Sequence, residues 1–85
     1  MIYHVRWKRT AQEELADVWL SATSDDREAV TRAARNLDEQ LRLDAHDLGE
    51  SRTGDERIVF GSPLAAVFEV DQQHSVVHVL QVWRY

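Results

Sequence analysis

The sequence contains no cysteine, which excludes a disulfide scaffold and a cysteine-ligated metal site. Lys8 is its only lysine, so nearly every cation is an arginine. No apolar run approaches the ~20 residues of a membrane-spanning helix. The first seven residues alternate polar and apolar, unlike a targeting peptide, so a cytoplasmic protein with no membrane partner is expected. There is no glycine-rich phosphate loop, no repeat and no linker. Positive charge is also in deficit: ten Lys and Arg face fifteen Asp and Glu, for a formal net charge of −5. A field of that sign does not draw nucleic acid from a distance. Contact with a phosphate backbone would need a local cluster of cations, for which arginine, with its bidentate geometry, is suited.

The 85 residues amount to one small domain, residues 1–85. A chain of this size buries roughly 60–65% of the surface its unfolded form exposes. In "IYHVRWK", Tyr3, Val5 and Trp7 alternate with His4, Arg6 and Lys8, the pattern of a half-buried strand. Thr10 and Glu13 have the spacing of a capping box. From there Ala11, Leu15, Val18, Trp19 and Ala22 form one apolar helical stripe. "SATSDD" interrupts it, with Ser24 or Asp25 as the expected cap of a second helix. The second stripe is Val30, Ala33, Ala34, Leu37 and Leu41, with Glu28–Arg32 and Asp38–Arg42 as expected ion pairs at i,i+4. Residues 43–55 read as a polar loop turned by Gly49 and Gly54. "ERIVF", "LAAVFEV" and "SVVHVLQVW" then read as three hairpin-connected strands. The order β-α-α-β-β-β implies an α+β fold: a helical hairpin on one face of a mostly antiparallel sheet, with the first strand at an edge or in the middle. Leu15, Val18, Trp19, Val30, Leu37 and Leu41 are expected to pack on that sheet.

Chemistry is sparse. His74 and His78 have H-x-x-x-H spacing, but on a strand four residues span about 13 Å, too far for two ligands of one metal. No metal or other cofactor is expected. Glu13, Glu14 and Asp17 read as a solvated helix face. The concentration of interest is Arg52, Arg57 and Arg84, with Tyr85 beside the last. If the strand ends converge, these could form a phosphate- or protein-binding patch, with Arg84 and Tyr85 as a charge-and-stacking pair. The plainer alternative pairs the arginines with Glu50, Asp55, Glu56 or Glu69.

The phrases "YHVRWKRTAQEELADVW", "LGESR", "RIVFGSPLAAVFEVD" and "VHVLQVW", in that order over nearly the whole chain, resemble the RelE/ParE superfamily of type II toxin–antitoxin toxins. The resemblance implies a cytoplasmic toxin of the plasmid-stabilisation type, neutralised by a cognate antitoxin protein. It implies two modes of growth inhibition. ParE-like members poison DNA gyrase by binding it. RelE-like members cleave mRNA on the ribosome with basic residues on the central strands and an Arg, His or Tyr near the end. Carried onto this chain, the second mode would rest on Arg57, Arg84 and Tyr85 as catalytic residues, and Ala65 stands about where an arginine is expected. That departure and the acidic charge favour the binding mode. A degenerate member that is merely folded is the third expectation.

Overall fold

The computed structural model describes residues 2–52 and 54–85. Met1, in the amino-terminal alternation, and Thr53, in the 43–55 loop reading, lie outside the described residues. Strand β1 (His4–Trp7) leads into helices α1 (Arg9–Ser21) and α2 (Ser24–Asp44). A 3₁₀ turn (Ala45–Asp47) and the short β2 (Glu50–Ser51) precede β3 (Glu56–Gly61), β4 (Leu64–Asp71) and β5 (Val76–Arg84). The strands form one sheet in the order β1-β5-β4-β3-β2. β1 runs parallel to β5 at one edge, and the other pairings are antiparallel. This is the α+β architecture that the element order implies. No helix among the described residues is long and apolar enough to cross a membrane.

The core lies between the helical hairpin and one face of the sheet. α2 contributes Val30, Ala33, Leu37 and Leu41, all buried, at the spacing of a single helical stripe. β4, central in the sheet, turns Leu64, Ala66 and Phe68 toward them, each with no exposed surface. Tyr3 is buried, and Val5 and Trp7 pack against the same core from β1. Gly61 lets α2 come close: a Cβ there would lie 3.1 Å from Leu37 Cδ2.

A register shift at Val67/Phe68 leaves Leu80 as the extra residue of a β-bulge in β5. Alternation along a strand has a period of two, so one added residue swaps the faces beyond it. Val77 and Val79 before the bulge, and Val82 after it, all reach the core as a result. Beyond the bulge the Val82 N–H is accepted by Glu14 Oε1 at 3.1 Å. Glu14 therefore satisfies a backbone donor within β5 beyond the last residue paired with β1, and is not part of a solvated helix face.

Several local expectations are corrected. α1 starts at Arg9 after Lys8, with no side-chain cap, so Thr10–Glu13 is not a capping box. Glu13 pairs with Arg9 at 3.3 Å instead. Thr23, not Ser24 or Asp25, caps α2 by accepting the Asp26 N–H at 3.3 Å. Asp25 and Asp26 then fill the first turn, where carboxylates complement the helix dipole. Asp38 accepts the Trp7 indole N–H at 2.9 Å, and Arg42 pairs with Glu39, so the expected Asp38–Arg42 pair does not form; nor does Glu28–Arg32. Helical structure continues to Asp47, shortening the expected loop. Trp19 is 39% exposed and lies against α2, not the sheet. Its indole N–H donates to Thr31 Oγ1 at 3.2 Å, and the Arg27 guanidinium sits 4.4 Å above its ring.

Candidate docking face of the sheet

The strand register separates the arginines singled out in the sequence. Arg57 stands opposite Phe68, and Arg84 opposite Leu64. Those positions are four residues apart along β4, about 13 Å at the rise of a strand. Both side chains point to the helix-bearing side and both are engaged. Arg57 donates to the Leu48 and Gly49 carbonyls at 2.7 and 3.1 Å. Arg84 pairs with Asp26 of α2 at 3.0 Å. Arg52 is exposed after β2, where its backbone N–H donates to the Glu56 carbonyl at 2.8 Å. Tyr85 alone faces the other side, 58% exposed. Its ring meets Phe60 edge-on, with centroids 5.3 Å apart.

That other side carries neither helix. Following the register across the strands gives three rows of side chains on it. The first is apolar: Phe60, Ala65 and Trp83, with Tyr85 next to Phe60. The second runs Glu50, Ile58, Val67 and Gln81. The third is charged: Glu56, Glu69, His78 and Arg6. Successive rows are two residues, or roughly 7 Å, apart. Ala65 and Val67 are buried although they lie on the helix-free face, because bulkier neighbours in their own rows flank them. Phe60, 57% exposed, projects from this surface together with Tyr85.

His74 and His78 do not converge. His74 lies in the β4–β5 turn, with Nδ1 2.7 Å from Asp71 Oδ2, and its backbone N–H also donates to Asp71. Hydrogen bonds from the His74 side chain and then its backbone hold the Asp71 carboxyl below its ordinary value. His78 is half-buried in the charged row.

Sequence reasoning missed Phe60, Glu56 and Glu69 as surface partners of one another. The alternation that puts Glu56 and Phe60 on one side is visible in "ERIVF". The pairing register that sets Glu56 against Glu69 is not.

No protein-family model and no curated relative matches the chain. Solved structures do. The chain is similar to one from the chromosomal ParDE toxin–antitoxin system of P. aeruginosa, with 16% identity and a TM-score of 0.77, covering 98% of this chain and 96% of that one. It is also similar to a chain of the RelBE2 toxin–antitoxin complex from Mycobacterium tuberculosis: 18% identity, TM-score 0.72, 100% and 93% coverage. The isolated E. coli RelE toxin matches at 21% identity and a TM-score of 0.56, over 96% of this chain and 83% of that one. The fold is thus that of RelE/ParE-type toxins.

Proposed function

We propose that this protein is the toxin of a type II toxin–antitoxin pair, acting in the cytoplasm by binding a cellular target, with DNA gyrase the first candidate. The observation that carries the reading is the apolar row Phe60–Ala65–Trp83 on the helix-free face. RNA cleavage needs a cation aimed at the charge developing on the scissile phosphate and a group that activates the 2′-hydroxyl. The row offers neither. Arg57 and Arg84 point to the opposite side, each held by an internal partner. Loss of one preorganised charge typically costs a factor of about 10²–10³ in rate. An exposed apolar and aromatic surface is the kind that protein partners cover.

The alternative is a ribosome-dependent mRNA endonuclease using Arg57, Arg84 and Tyr85, with Arg52 helping to hold phosphate. What favours it is Tyr85, more than half exposed beside Phe60 and able to stack on a base. In either reading the partner is a cognate antitoxin. The test is controlled expression, alone and with the product of the adjacent reading frame, alongside a DNA supercoiling assay with purified gyrase. The binding reading expects growth arrest, induction of the DNA-damage response, rescue by co-expression and inhibited supercoiling. Arrest with unimpaired supercoiling and no DNA damage would remove gyrase as the target. Unimpeded growth would leave a folded, harmless relative.

A further inference from the structure

The side of the helical hairpin turned away from the sheet holds an apolar groove of about 900 Å³ between α1 and α2. Two small residues, Ala16 and Ala34, keep it open, with Trp7 and Leu15 beside them. Leu20 and Trp19 stand at one end, 63% and 39% exposed. Past Trp19 the surface continues along α2, where it is lined by Glu28 and Arg35. Among the described residues neither of these charges has a hydrogen-bond or ion-pair partner.

This patch is complementary to itself. Leu20 and Ala16 are an exposed bulky side chain and a small one at i,i+4 on α1, centred on Val18. Glu28 and Arg35 are opposite charges at i,i+7 on α2, centred between Thr31 and Arg32. Both spacings keep the two residues on one helical face. The Trp19 indole N–H donates to Thr31 Oγ1 at 3.2 Å. The two centres therefore lie at one level of the hairpin, to within about one residue, or 1.5 Å of helix. A two-fold axis crossing both helices at that level sets each Leu20 over the other copy's Ala16. The same axis sets each Arg35 against the other copy's Glu28. A two-fold contact requires a patch of this kind, since the same residues must meet twice. An unrelated partner would require neither match.

We propose that this face binds a second copy of the chain, helix layer on helix layer. Trp19 lies at the centre, and the Leu20–Ala16 and Arg35–Glu28 contacts repeat about the axis. Tryptophan and arginine are among the residues that most often dominate protein contacts. The patch is small, so the dimer is of the weak, reversible class. The inference goes beyond the toxin reading and is independent of the target, because pairing through the helices leaves the helix-free face of both sheets open.

The test is sedimentation equilibrium of the purified full chain. The wild type, 9.9 kDa as a monomer, is expected to approach twice that mass, with a dissociation constant on the order of 10–100 μM. Leu20→Glu is expected to raise that constant about tenfold or more. Glu28→Arg and Arg35→Glu each bring like charges together and are expected to do the same. Mixed in equal amounts, these two single variants complement each other and are expected to form a heterodimer of near wild-type affinity. Glu28→Arg/Arg35→Glu, which exchanges the charges within one chain, is expected to self-associate again. All three positions are exposed, and circular dichroism checks that each variant is folded. The charge exchange decides the question independently of Leu20→Glu. Phe60→Glu, on the helix-free face, is expected to leave association unchanged. A chain still monomeric at about 500 μM would leave the groove to a different protein and overturn the proposal. A dimer that survives Leu20→Glu, or single charge variants that do not associate when mixed, would overturn it too. So would a dimer lost in Phe60→Glu, which would move the contact to the sheet.

Discussion

Trp19 and Phe68 show how differently two large aromatic side chains can matter. Phe68 is fully buried in the central strand, whereas Trp19 is 39% exposed between the helices. Phe68→Ala is expected to cost roughly 3–5 kcal/mol, the usual range for a buried aromatic cut to alanine. That is a large share of the ~5–15 kcal/mol holding a domain together, so the variant is expected to melt at a much lower temperature than the wild type. Trp19→Ala loses an exposed hydrogen bond and the Arg27 contact, together about 1–2 kcal/mol. Denaturant melts of both variants check the order, and an equal loss would contradict it. The helical period placed Ala11, Leu15 and Val18 correctly. It put Trp19 on the same face because neighbouring residues differ by only about 100° around a helix, too fine a distinction for a stripe to make. At the same scale, the lowered Asp71 carboxyl ties the β4–β5 turn to pH. Its folded value lies below the unfolded one, so its stabilisation is complete above the unfolded value, about 4, and lost as pH falls through the folded one. Amide exchange in residues 72–75, corrected for intrinsic rates, is therefore expected to speed up below about pH 4, and Asp71→Asn to abolish that dependence.

The elements were legible where hydrophobic period decided them and less so where a single cap or turn did. Both helices and the three long strands follow from alternation and stripe. Their ends do not: two plausible caps, Thr10 and Ser24, lost to Lys8 and Thr23. Thr23→Ala is expected to cost about 1 kcal/mol, as for other N-caps. Thr10→Ala, at an exposed helical position, is expected to stay within about 0.5 kcal/mol. Thermal melts of the two variants distinguish a real cap from a sequence that resembles one. The segment before β3 depends on Gly49, whose φ of +71° is one that other residues rarely adopt. A Cβ there would also run into the Ile58 carbonyl. Gly49→Ala is expected to release β2 and the two carbonyls that hold Arg57, seen as faster amide exchange at Glu50 and Ser51. The register keeps the candidate arginines Arg57 and Arg84 apart along the sheet. Composition showed Arg52, Arg57 and Arg84 near strand ends, but which ends adjoin depends on strand order and register, which no local pattern encodes. The bulge at Leu80, invisible as a composition signal, further decides which β5 side chains reach each face.

Across the whole molecule, the helical hairpin covers one side of the sheet and leaves the other with an aromatic end and a charged end. The acidic balance of the sequence and the alanine at position 65 already argued against RNA chemistry. The fold adds the physical placement: aromatic and aliphatic groups fill the row of Ala65, the position at which the resemblance implies an arginine, and Arg84 is drawn back to Asp26 on the helical side. That ion pair is about half exposed, so it is worth no more than about 1 kcal/mol. Arg84→Ala is therefore expected to fold normally and can be used in functional tests. The most direct test of action by binding is to map mRNA 5′ ends on translating ribosomes after induction, with the wild type and with Arg84→Ala/Tyr85→Phe. The account predicts growth arrest without discrete cuts in the ribosomal A site. Cuts that appear with the wild type and vanish in the double variant would contradict it and establish the endonuclease.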